Sequence, residues 1–502
     1  MMDRRTVLAG LGATTAVRPT TLFADSRKAE SLYDAAQALA HTPYSPNKTP
    51  LPAPFSDLSY DAYRGIRPIP GKAALLDHGP SWAVDLLPPG LFFPDPVQIE
   101  LVDEGGPRTV PFSTDLFSFD DRYFDQIPDQ SPGAGFSGLR VRHPLNAADR
   151  MDEVLVMQGA SYFRAIGEAM VYGLSARAVA IGTGGAAPEE FPRFTRLRVY
   201  PGTATSIRVE GVIDSPSLAG HLDLTLAPGS ETAMDVAVTL FPRVEIADIG
   251  VAPLTSMYLK GPLHAAVSDD FRPRVHDSDL LVIENGAGEF LWRPIANPAQ
   301  LQTSAFSDRG PVSFGLYQTA RAFDDYQDTE ARYHDRPSAR VRPKGDWGDG
   351  SVMLVEIPTG DEFMDNIVAF WRPSEALQPG GTYRFEYGLT WTATPPSADP
   401  ARSHITSRSG REHDRQGTRR YVVDFQGDPE GLQPEVTATG IAEVLGTSLF
   451  ALPEDRGTRV TFLLTPGDAD SAELRLTLRD ANGSVAHPVW LHRWTRARDG
   501  GV

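Results

Sequence analysis

Carboxylates, arginines and aromatic residues interleave more densely in residues 269–371 than elsewhere in this 502-residue chain. The segments that carry the mixture are DDFRPRVHDSD (269–279), GEFLWRP (288–294), FDDYQDTEARYHDRP (323–337), KGDWGDG (344–350) and IPTGDEFMDNIVAFW (357–371). Sugar sites need aromatic faces for pyranose C–H surfaces and charged groups for hydroxyls. A pair of carboxylates can also protonate a leaving oxygen and activate a water. Turns of a β-sandwich collect Asp, Gly and Pro as well, so composition alone leaves both a carbohydrate cleft and a set of turns open.

The secondary-structure elements that hold residues 269–371 are predicted to be β-strands. Apolar and polar residues alternate with a period of two in RLRVYPG (196–202), SIRVEGVI (206–213) and HLDLTLAPG (221–229), which is typical of half-buried strands. Turn residues recur at the spacing of about 8–12 residues that indicates a sandwich, and the chain is rich in Gly (45) and Pro (43). We therefore predict that residues 51–394 form a large antiparallel β-sandwich.

Three further segments complete the predicted organisation. Residues 25–50 form an N-terminal extension with one helix, Glu30–His41, and a proline-rich stretch. Residues 395–417 contain no Phe, Tyr, Trp or Leu and are rich in Pro, Ser and Arg, which predicts a linker or a loop beside the cleft. The short alternating strands of residues 418–497 predict a small immunoglobulin-like sandwich.

Residues 1–24 have the pattern of an export signal. Arg4 and Arg5 precede an apolar run, Val7–Val17, that is shorter than the ~20 residues needed to span a bilayer. Small residues then lead to a cleavage position near Ala24. The arginine pair favours the twin-arginine route over the general secretory route, so we predict a periplasmic mature protein.

Composition excludes several classes of protein. A net charge of −18 argues against nucleic acid and anionic membrane surfaces as partners, because these need a basic face. The chain has no Cys, which excludes disulfides, thiolate metal sites and a cysteine nucleophile. Its 11 His residues show no pair at metal-ligand spacing. We therefore predict neither a metal nor a cofactor.

Many segments, in order, resemble the periplasmic glucan biosynthesis proteins G and D (OpgG and OpgD, also called MdoG and MdoD). They are GASYFRAIG (159–167), VYGLSAR (171–177), EEFPRF (189–194), LTSMYL (254–259), FRPRVHDSD (271–279), FLWRP (290–294), SFGLYQ (313–318), RPSARVRPKGDWG (336–348), IVAFW (367–371) and TRRYVVDFQG (418–427). The resemblance implies an all-β protein in which a large galactose-mutarotase-like β-sandwich precedes a small immunoglobulin-like one. It also implies a cleft in the larger domain and β-1,2-linked glucan as the substrate.

The resemblance further implies roles for five residues. The family's general acid is the Asp that opens D-N-I-V, here Asp365, and its base-side carboxylate is the first Asp of H-D-S-D, here Asp277. Glu362, Tyr333 and Arg336 match family positions that line the scissile region. An inverting mechanism needs an acid and a base about 6.5–9.5 Å apart with a water between them.

Structural roles compete with these assignments. They are a turn residue for Asp277, a helix or turn cap for Asp365, a structural ion pair for Arg336, and a core side chain with a satisfied hydroxyl for Tyr333. Tryptophans of the block are candidate stacking platforms but are more typical of a core; they are Trp292, Trp347 and Trp371.

Two departures from the family bear on the reaction. Leu280 stands where the family has Gly, so the turn after Asp279 is expected to differ, and segment 395–417 offers arginines instead of a cleft-covering aromatic residue. Three functions therefore stay open. The first is an inverting endo-β-1,2-glucanase, the second an inverting transglycosylase that cyclises or branches glucan with the same carboxylates, and the third a non-catalytic glucan-binding factor. Besides the glucan, the partners to consider are the membrane glucan synthase and a second copy in a homodimer.

Overall fold

The computed structural model describes residues 30–46, 50–69, 72, 75–128, 133–264, 269–394 and 404–499. The predicted signal segment 1–24 and the first part of the predicted linker, 395–403, lie outside the described residues. The described α-helices are α1 (Leu32–Ala40), α2 (Tyr60–Arg64) and α3 (Arg496–Asp499). The predicted N-terminal helix is confirmed as α1. Ser31 caps it by accepting a hydrogen bond from the Asp34 amide.

The strands are numbered in chain order. The first are β1 (Ile66–Pro68), β2 (Leu75–Asp77), β3 (Ala83–Leu87), β4 (Gln98–Asp103), β5 (Gly106–Thr109), β6 (Phe117–Phe119), β7 (Gly138–Ala147), β8 (Arg150–Gln158), β9 (Tyr162–Ala165), β10 (Ser175–Arg177) and β11 (Val179–Ile181). The next are β12 (Arg193–Val199), β13 (Ile207–Asp214), β14 (Leu218–Ala227), β15 (Thr232–Pro242), β16 (Ile249–Ser256), β17 (Tyr258–Lys260), β18 (Val275–His276), β19 (Leu280–Glu284), β20 (Phe290–Pro294), β21 (Gln302–Arg309) and β22 (Ser313–Tyr317). The last are β23 (Ser338–Lys344), β24 (Asp349–Glu356), β25 (Ile367–Pro373), β26 (Tyr383–Thr392), β27 (His404–Arg411), β28 (Arg419–Phe425), β29 (Gln433–Ala438), β30 (Glu443–Ala451), β31 (Thr458–Thr465), β32 (Ser471–Arg479) and β33 (Val489–Thr495).

Two large sheets form the first sandwich. The 11-stranded sheet has the order β2-β3-β7-β8-β9-β10-β16-β25-β24-β21, with β11 added beside β16. The 14-stranded sheet runs β29-β32-β33-β20-β19-β22-β23-β26-β15-β14-β13-β12-β4-β5. Their facing sides share one apolar core, to which Leu155 and Leu254 contribute from the first sheet and Leu224 and Leu389 from the second. Each fully buried side chain of this kind contributes about 1.5–3 kcal/mol, so the period-two pattern decides which face of each strand turns inward.

The second sandwich lies at the C-terminal end. A four-stranded sheet, β27-β28-β31-β30, packs on β29, β32 and β33, and Tyr421, Phe462, Leu474 and Trp490 are buried between them. Strand β33 also pairs in parallel with β20 of the large sandwich, so the 14-stranded sheet continues from one sandwich into the other. The prediction of an all-β protein with a large sandwich followed by a small one is confirmed.

The predicted linker is wrong for part of its length, because residues His404–Arg411 form strand β27. This strand pairs with β28, and its Ser409 hydroxyl donates to the Leu263 carbonyl at 2.6 Å. On the same strand, Ser407 accepts a hydrogen bond from the indole N–H of Trp490 at 2.8 Å. Main-chain pairing and these polar contacts hold an edge strand whose sequence, HITSRSGR, is mostly polar. The composition of the segment therefore misled the prediction.

Candidate active site

The five residues singled out in the sequence lie on loops that the strands bring together. Asp277 directly follows β18. Asp365 lies two residues before β25 begins at Ile367, with Asn366 between them. Tyr333 starts a short 3-10 helix, Tyr333–Asp335, and Arg336 comes directly after it.

Asp277 is the buried carboxylate of the site. Its side chain is 5% exposed and forms an ion pair with the Arg336 guanidinium, while its amide donates to the Met257 carbonyl at 2.8 Å. Burial raises the pKa of the Asp277 carboxyl, and the nearby charge of Asp365 raises it further, whereas Arg336 lowers it. The contact with Arg336 therefore favours the ionised form of a carboxylate that the protein interior disfavours.

Arg336 is itself held from two sides. Its Nε donates to the Ala331 carbonyl at 3.0 Å, and its guanidinium carbon lies 4.4 Å from the centroid of the Tyr333 ring, a cation–π arrangement. The aliphatic part of its side chain passes Gly173 so closely that a Cβ there would lie 2.8 Å from the Arg336 Cβ. Arg336 thus forms an ion pair, as its structural alternative predicted. The carboxylate in that pair is Asp277, the candidate base.

Asp365 is the accessible carboxylate, with 36% of its side chain exposed. Its Oδ2 accepts from Nη2 of Arg164, on β9, at 3.3 Å. The next residue, the buried Asn366, fixes the loop by donating to the Tyr258 carbonyl at 3.1 Å and accepting from the Tyr258 amide at 2.8 Å. The position of Asp365 is therefore tied to strand β17.

The same strand ties down Asp277. Tyr258 of β17 is paired with His276 of β18, and the two rings stack with their centroids 5.3 Å apart. Asp277 follows His276, and Asp365 precedes Asn366, so both carboxylates are chain neighbours of residues that bind Tyr258. This arrangement brings two distant parts of the chain to one site.

A hydrogen-bonded network lies beside the carboxylates. The Tyr333 hydroxyl donates to Oε2 of Glu362 at 2.7 Å, and Nη1 of Arg272 donates to the same oxygen at 2.7 Å. Arg272 also binds Asp328 at 2.7 Å. Burial and the bond to Glu362 raise the pKa of Tyr333 well above its ordinary value, so its hydroxyl stays protonated and acts as a donor.

Three residues of this site escaped the sequence analysis. Arg164, Arg272 and Asp328 each lie within segments already singled out there. Nothing in a single sequence distinguishes these side chains from other charged residues of the same segments. Only the contacts Arg164–Asp365, Arg272–Glu362 and Arg272–Asp328 mark them as part of the site.

Other residues of the block have structural roles. The three candidate stacking platforms are buried in the core; they are Trp292, Trp347 and Trp371. Leu280 begins strand β19 and is buried against Tyr317, so a strand directly follows Asp279 where the sequence predicted an altered turn. Within the described ranges, no three His, Asp or Glu side chains are grouped to hold a metal ion.

Removing Arg336 tests the electrostatics of the pair. Arg336→Met is expected to destabilise the protein at neutral pH by about 3–5 kcal/mol, because it leaves a buried carboxylate without its partner. The pKa of Asp277 is raised in the folded protein. Its contribution to stability is therefore full below the ordinary carboxyl pKa and is lost as pH rises through the folded value. Without Arg336 the stability lost on ionisation of Asp277 is larger. The difference in unfolding free energy between the wild type and Arg336→Met should therefore be smaller at acidic pH, where Asp277 is protonated.

Denaturant unfolding of the wild type and the variant at neutral and acidic pH measures the difference. The double variant Asp277→Asn/Arg336→Met is the control, since it removes both charges and should recover part of the stability. An equal loss at both pH values would contradict the electrostatic explanation.

Comparisons with known proteins place this chain in a family. A family model described as "Periplasmic glucan biosynthesis protein, MdoG" matches residues 28–494. A Vibrio cholerae protein named Glucans biosynthesis protein G is 43% identical over 92% of this chain and 85% of its own length. A protein of the same name from Shewanella frigidimarina is 40% identical over 93% of this chain and 84% of its own.

Among solved structures, a galactose mutarotase related enzyme from Lactobacillus acidophilus matches 53% of this chain and 94% of that one, at 9% identity. Its TM-score of 0.23 is too low for the likeness to carry an argument. Among the described residues, the helices are too short or too polar to cross a membrane. The family model and the relatives span nearly the whole chain, and they confirm the resemblance seen in the sequence. The chain therefore belongs to the periplasmic glucan biosynthesis protein family, MdoG.

Proposed function

We propose that this protein cleaves β-1,2-linked glucan in the periplasm by an inverting reaction, as a step in the biosynthesis of osmoregulated periplasmic glucans. The observation that carries the proposal is the placement of Asp277 and Asp365 at one site in different surroundings. Asp277 is buried and paired with Arg336, whereas Asp365 is accessible. Two carboxyl groups in different environments can divide the roles of acid and base.

Asp365 is the general acid in this proposal. Its accessible carboxyl donates a proton to the glycosidic oxygen as the bond between that oxygen and the anomeric carbon breaks. Arg164, 3.3 Å from the Asp365 carboxylate, stabilises the negative charge that Asp365 acquires when it gives up the proton. The leaving sugar departs with a new hydroxyl group.

Asp277 acts on the base side. Arg336 holds it ionised, and it accepts the proton of a water whose oxygen attacks the anomeric carbon from the opposite face, which inverts the configuration. In this proposal the Tyr333 hydroxyl, which donates to Glu362 at 2.7 Å, accepts a hydrogen bond from the attacking water and orders it. Arg272, bound to the same Glu362 oxygen, keeps Glu362 and Tyr333 in position.

Incubation of the purified protein with linear β-1,2-glucan tests the proposal. Hydrolysis creates new reducing ends, and their anomeric configuration, followed by NMR from the first turnover, shows inversion or retention. A loss of reducing ends would instead identify cyclisation by a transglycosylase in which a glucan hydroxyl replaces water. Glucan that is bound but unchanged with every acceptor offered would identify a binding factor, which would make the membrane glucan synthase the partner to test next.

Export by the twin-arginine route is also part of the proposal. Arg4 and Arg5 directly precede the apolar run Val7–Val17. Replacing both arginines by Lys is expected to trap the precursor in the cytoplasm, because that route depends on the arginine pair. Fractionation of cells followed by immunoblotting measures precursor and mature protein. Undiminished export of the Lys variant would assign the signal to the general secretory route.

A further inference from the structure

A row of side chains leads away from Asp365 across the outer face of the 11-stranded sheet. Arg164 on β9 is paired with Val156 on β8, Val156 with Arg140 on β7, and Arg140 with Asp85 on β3. Directly paired residues of antiparallel strands point to the same face. The alternate residues of these strands, such as Leu139 and Leu155, are buried in the core, so the row faces outward.

The row ends in a cavity of about 950 Å³. Asp85 and Arg140 line it, together with Arg142 on β7 and Glu153 on β8. Arg140, the first cavity residue that the row reaches, is two strand spacings of about 4.8 Å from Arg164, or about 10 Å. The cavity is therefore separated from Arg164, the partner of the candidate acid, by more than the width of one sugar ring.

Charged groups in the cavity are already paired with each other. Arg142 binds Asp85 at 2.7 Å and Glu153 at 3.0 Å, and Arg140 binds Glu153 at 2.9 Å. The side chains of Arg140 and Arg142 are 36% and 25% exposed, so part of each side chain is accessible from the cavity. An anion would have to compete with Asp85 and Glu153, whereas a neutral ligand with many hydroxyls can bind donors and acceptors together.

Apolar side chains complete the cavity wall. Ile66, Leu76 and Met151 line it beside the charged network, and such surfaces can pack on the C–H faces of pyranose rings. The hydroxyl of Tyr172 is buried without a hydrogen-bond partner among the described residues. Burial raises the pKa of this Tyr172 hydroxyl, and the charges that act on it include Glu153, Arg140 and Arg164. Tyr172 is thus influenced by charged residues both of the cavity and beside Asp365.

We propose that this cavity binds a distal part of the glucan chain while the scissile bond lies between Asp277 and Asp365, so that the protein selects its substrate by chain length. The inference rests on the proposed function and extends it to residues of β3, β7 and β8. A chain that reaches the cavity gains contacts with Arg140 and Arg142, and a chain too short to reach it does not.

Arg140→Ala tests the inference with a graded series of linear β-1,2-glucan oligosaccharides. The measured quantity is the ratio of kcat/KM for the longest oligosaccharide to kcat/KM for the shortest one processed. This ratio is expected to fall about tenfold, the loss that follows removal of one hydrogen bond from a charged group. Glu153→Gln, which keeps the shape of the side chain, should lower the ratio in the same direction.

Arg479→Ala is the matched control. Arg479 forms an exposed pair with Glu435 at 2.8 Å on the small sandwich, so its removal should leave the ratio as it is in the wild type. Thermal unfolding of each variant identifies any that are misfolded. If the wild type binds glucan without changing it, the same ratio is taken from dissociation constants measured by calorimetry.

The two proposals fail in different ways. An Arg140→Ala protein that keeps the wild-type ratio, while the wild type still processes or binds glucan, overturns the role of the cavity and leaves the proposed function in place. A wild type that neither processes nor binds β-1,2-glucan of any length overturns both.

Discussion

Asp365→Asn is expected to reduce turnover of β-1,2-glucan by about 10²–10⁴-fold, the effect typical of losing a positioned general acid. This corresponds to roughly 3–5 kcal/mol of activation free energy. Asparagine keeps the shape of the side chain but has no proton to give to the glycosidic oxygen. Asp365 is 36% exposed, and among the described residues its side chain is bonded to Arg164 at 3.3 Å. The substitution should therefore leave the fold and glucan binding intact.

Asp361→Asn is the matched control for this experiment. Asp361 is an exposed carboxylate of the same loop, and its Oδ1 accepts a hydrogen bond from the Phe363 amide at 2.9 Å, which an asparagine oxygen can also accept. Rates come from the appearance of reducing ends, and binding comes from calorimetry. If Asp365→Asn processes glucan at the wild-type rate, Asp365 is not the acid.

Asp277→Asn is expected to cause a loss of similar size, about 10²–10⁴-fold, for a different reason. The amide cannot accept the proton of the attacking water, so bond cleavage loses its nucleophile while the acid stays in place. The pH profile gives an independent readout. The pKa of Asp277 is raised by burial, so protonation of Asp277 should make the wild-type kcat/KM fall at acidic pH. The residual activity of Asp277→Asn should not show this fall.

Asp279→Asn is the control for the base. Asp279 lies two residues away and accepts hydrogen bonds from the amide and hydroxyl of Thr319 at 2.8 and 2.5 Å. Its substitution should lower the melting temperature with little effect on kcat of the folded protein. The base assignment would be wrong if Asp277→Asn kept the wild-type pH profile, or if its loss of rate were matched by Asp279→Asn.

Some features of this protein follow from local sequence. Period-two alternation predicts the strands because each strand buries one face, and the segment Glu30–His41 is predicted as the helix that the structure shows as α1. The order and length of the segments shared with the glucan biosynthesis family predict the membership that the family model confirms. The same segments contain Asp277 and Asp365, which the structure brings to one site, although their roles as base and acid remain predictions.

Other features depend on pairing between distant parts of the chain. Strand β27 has a composition typical of a loop, and it is a strand because β28 supplies its hydrogen-bond partners. The parallel pairing of β20 with β33 joins the two sandwiches, and no local pattern encodes a partner so far away in sequence. Arg164 enters the site for the same reason, since its strand lies beside the loop that carries Asp365.

The class of fold, the family and the segments that hold the candidate carboxylates can thus be predicted from the amino-acid sequence. Folding is needed to bring Asn366 and His276 together on Tyr258, to pair Arg336 with Asp277, and to end the row from Arg164 to Asp85 in a cavity. Local alternation specifies which face of a strand is buried. Which strands become neighbours is set by main-chain hydrogen bonds and core packing between segments that are far apart in the chain.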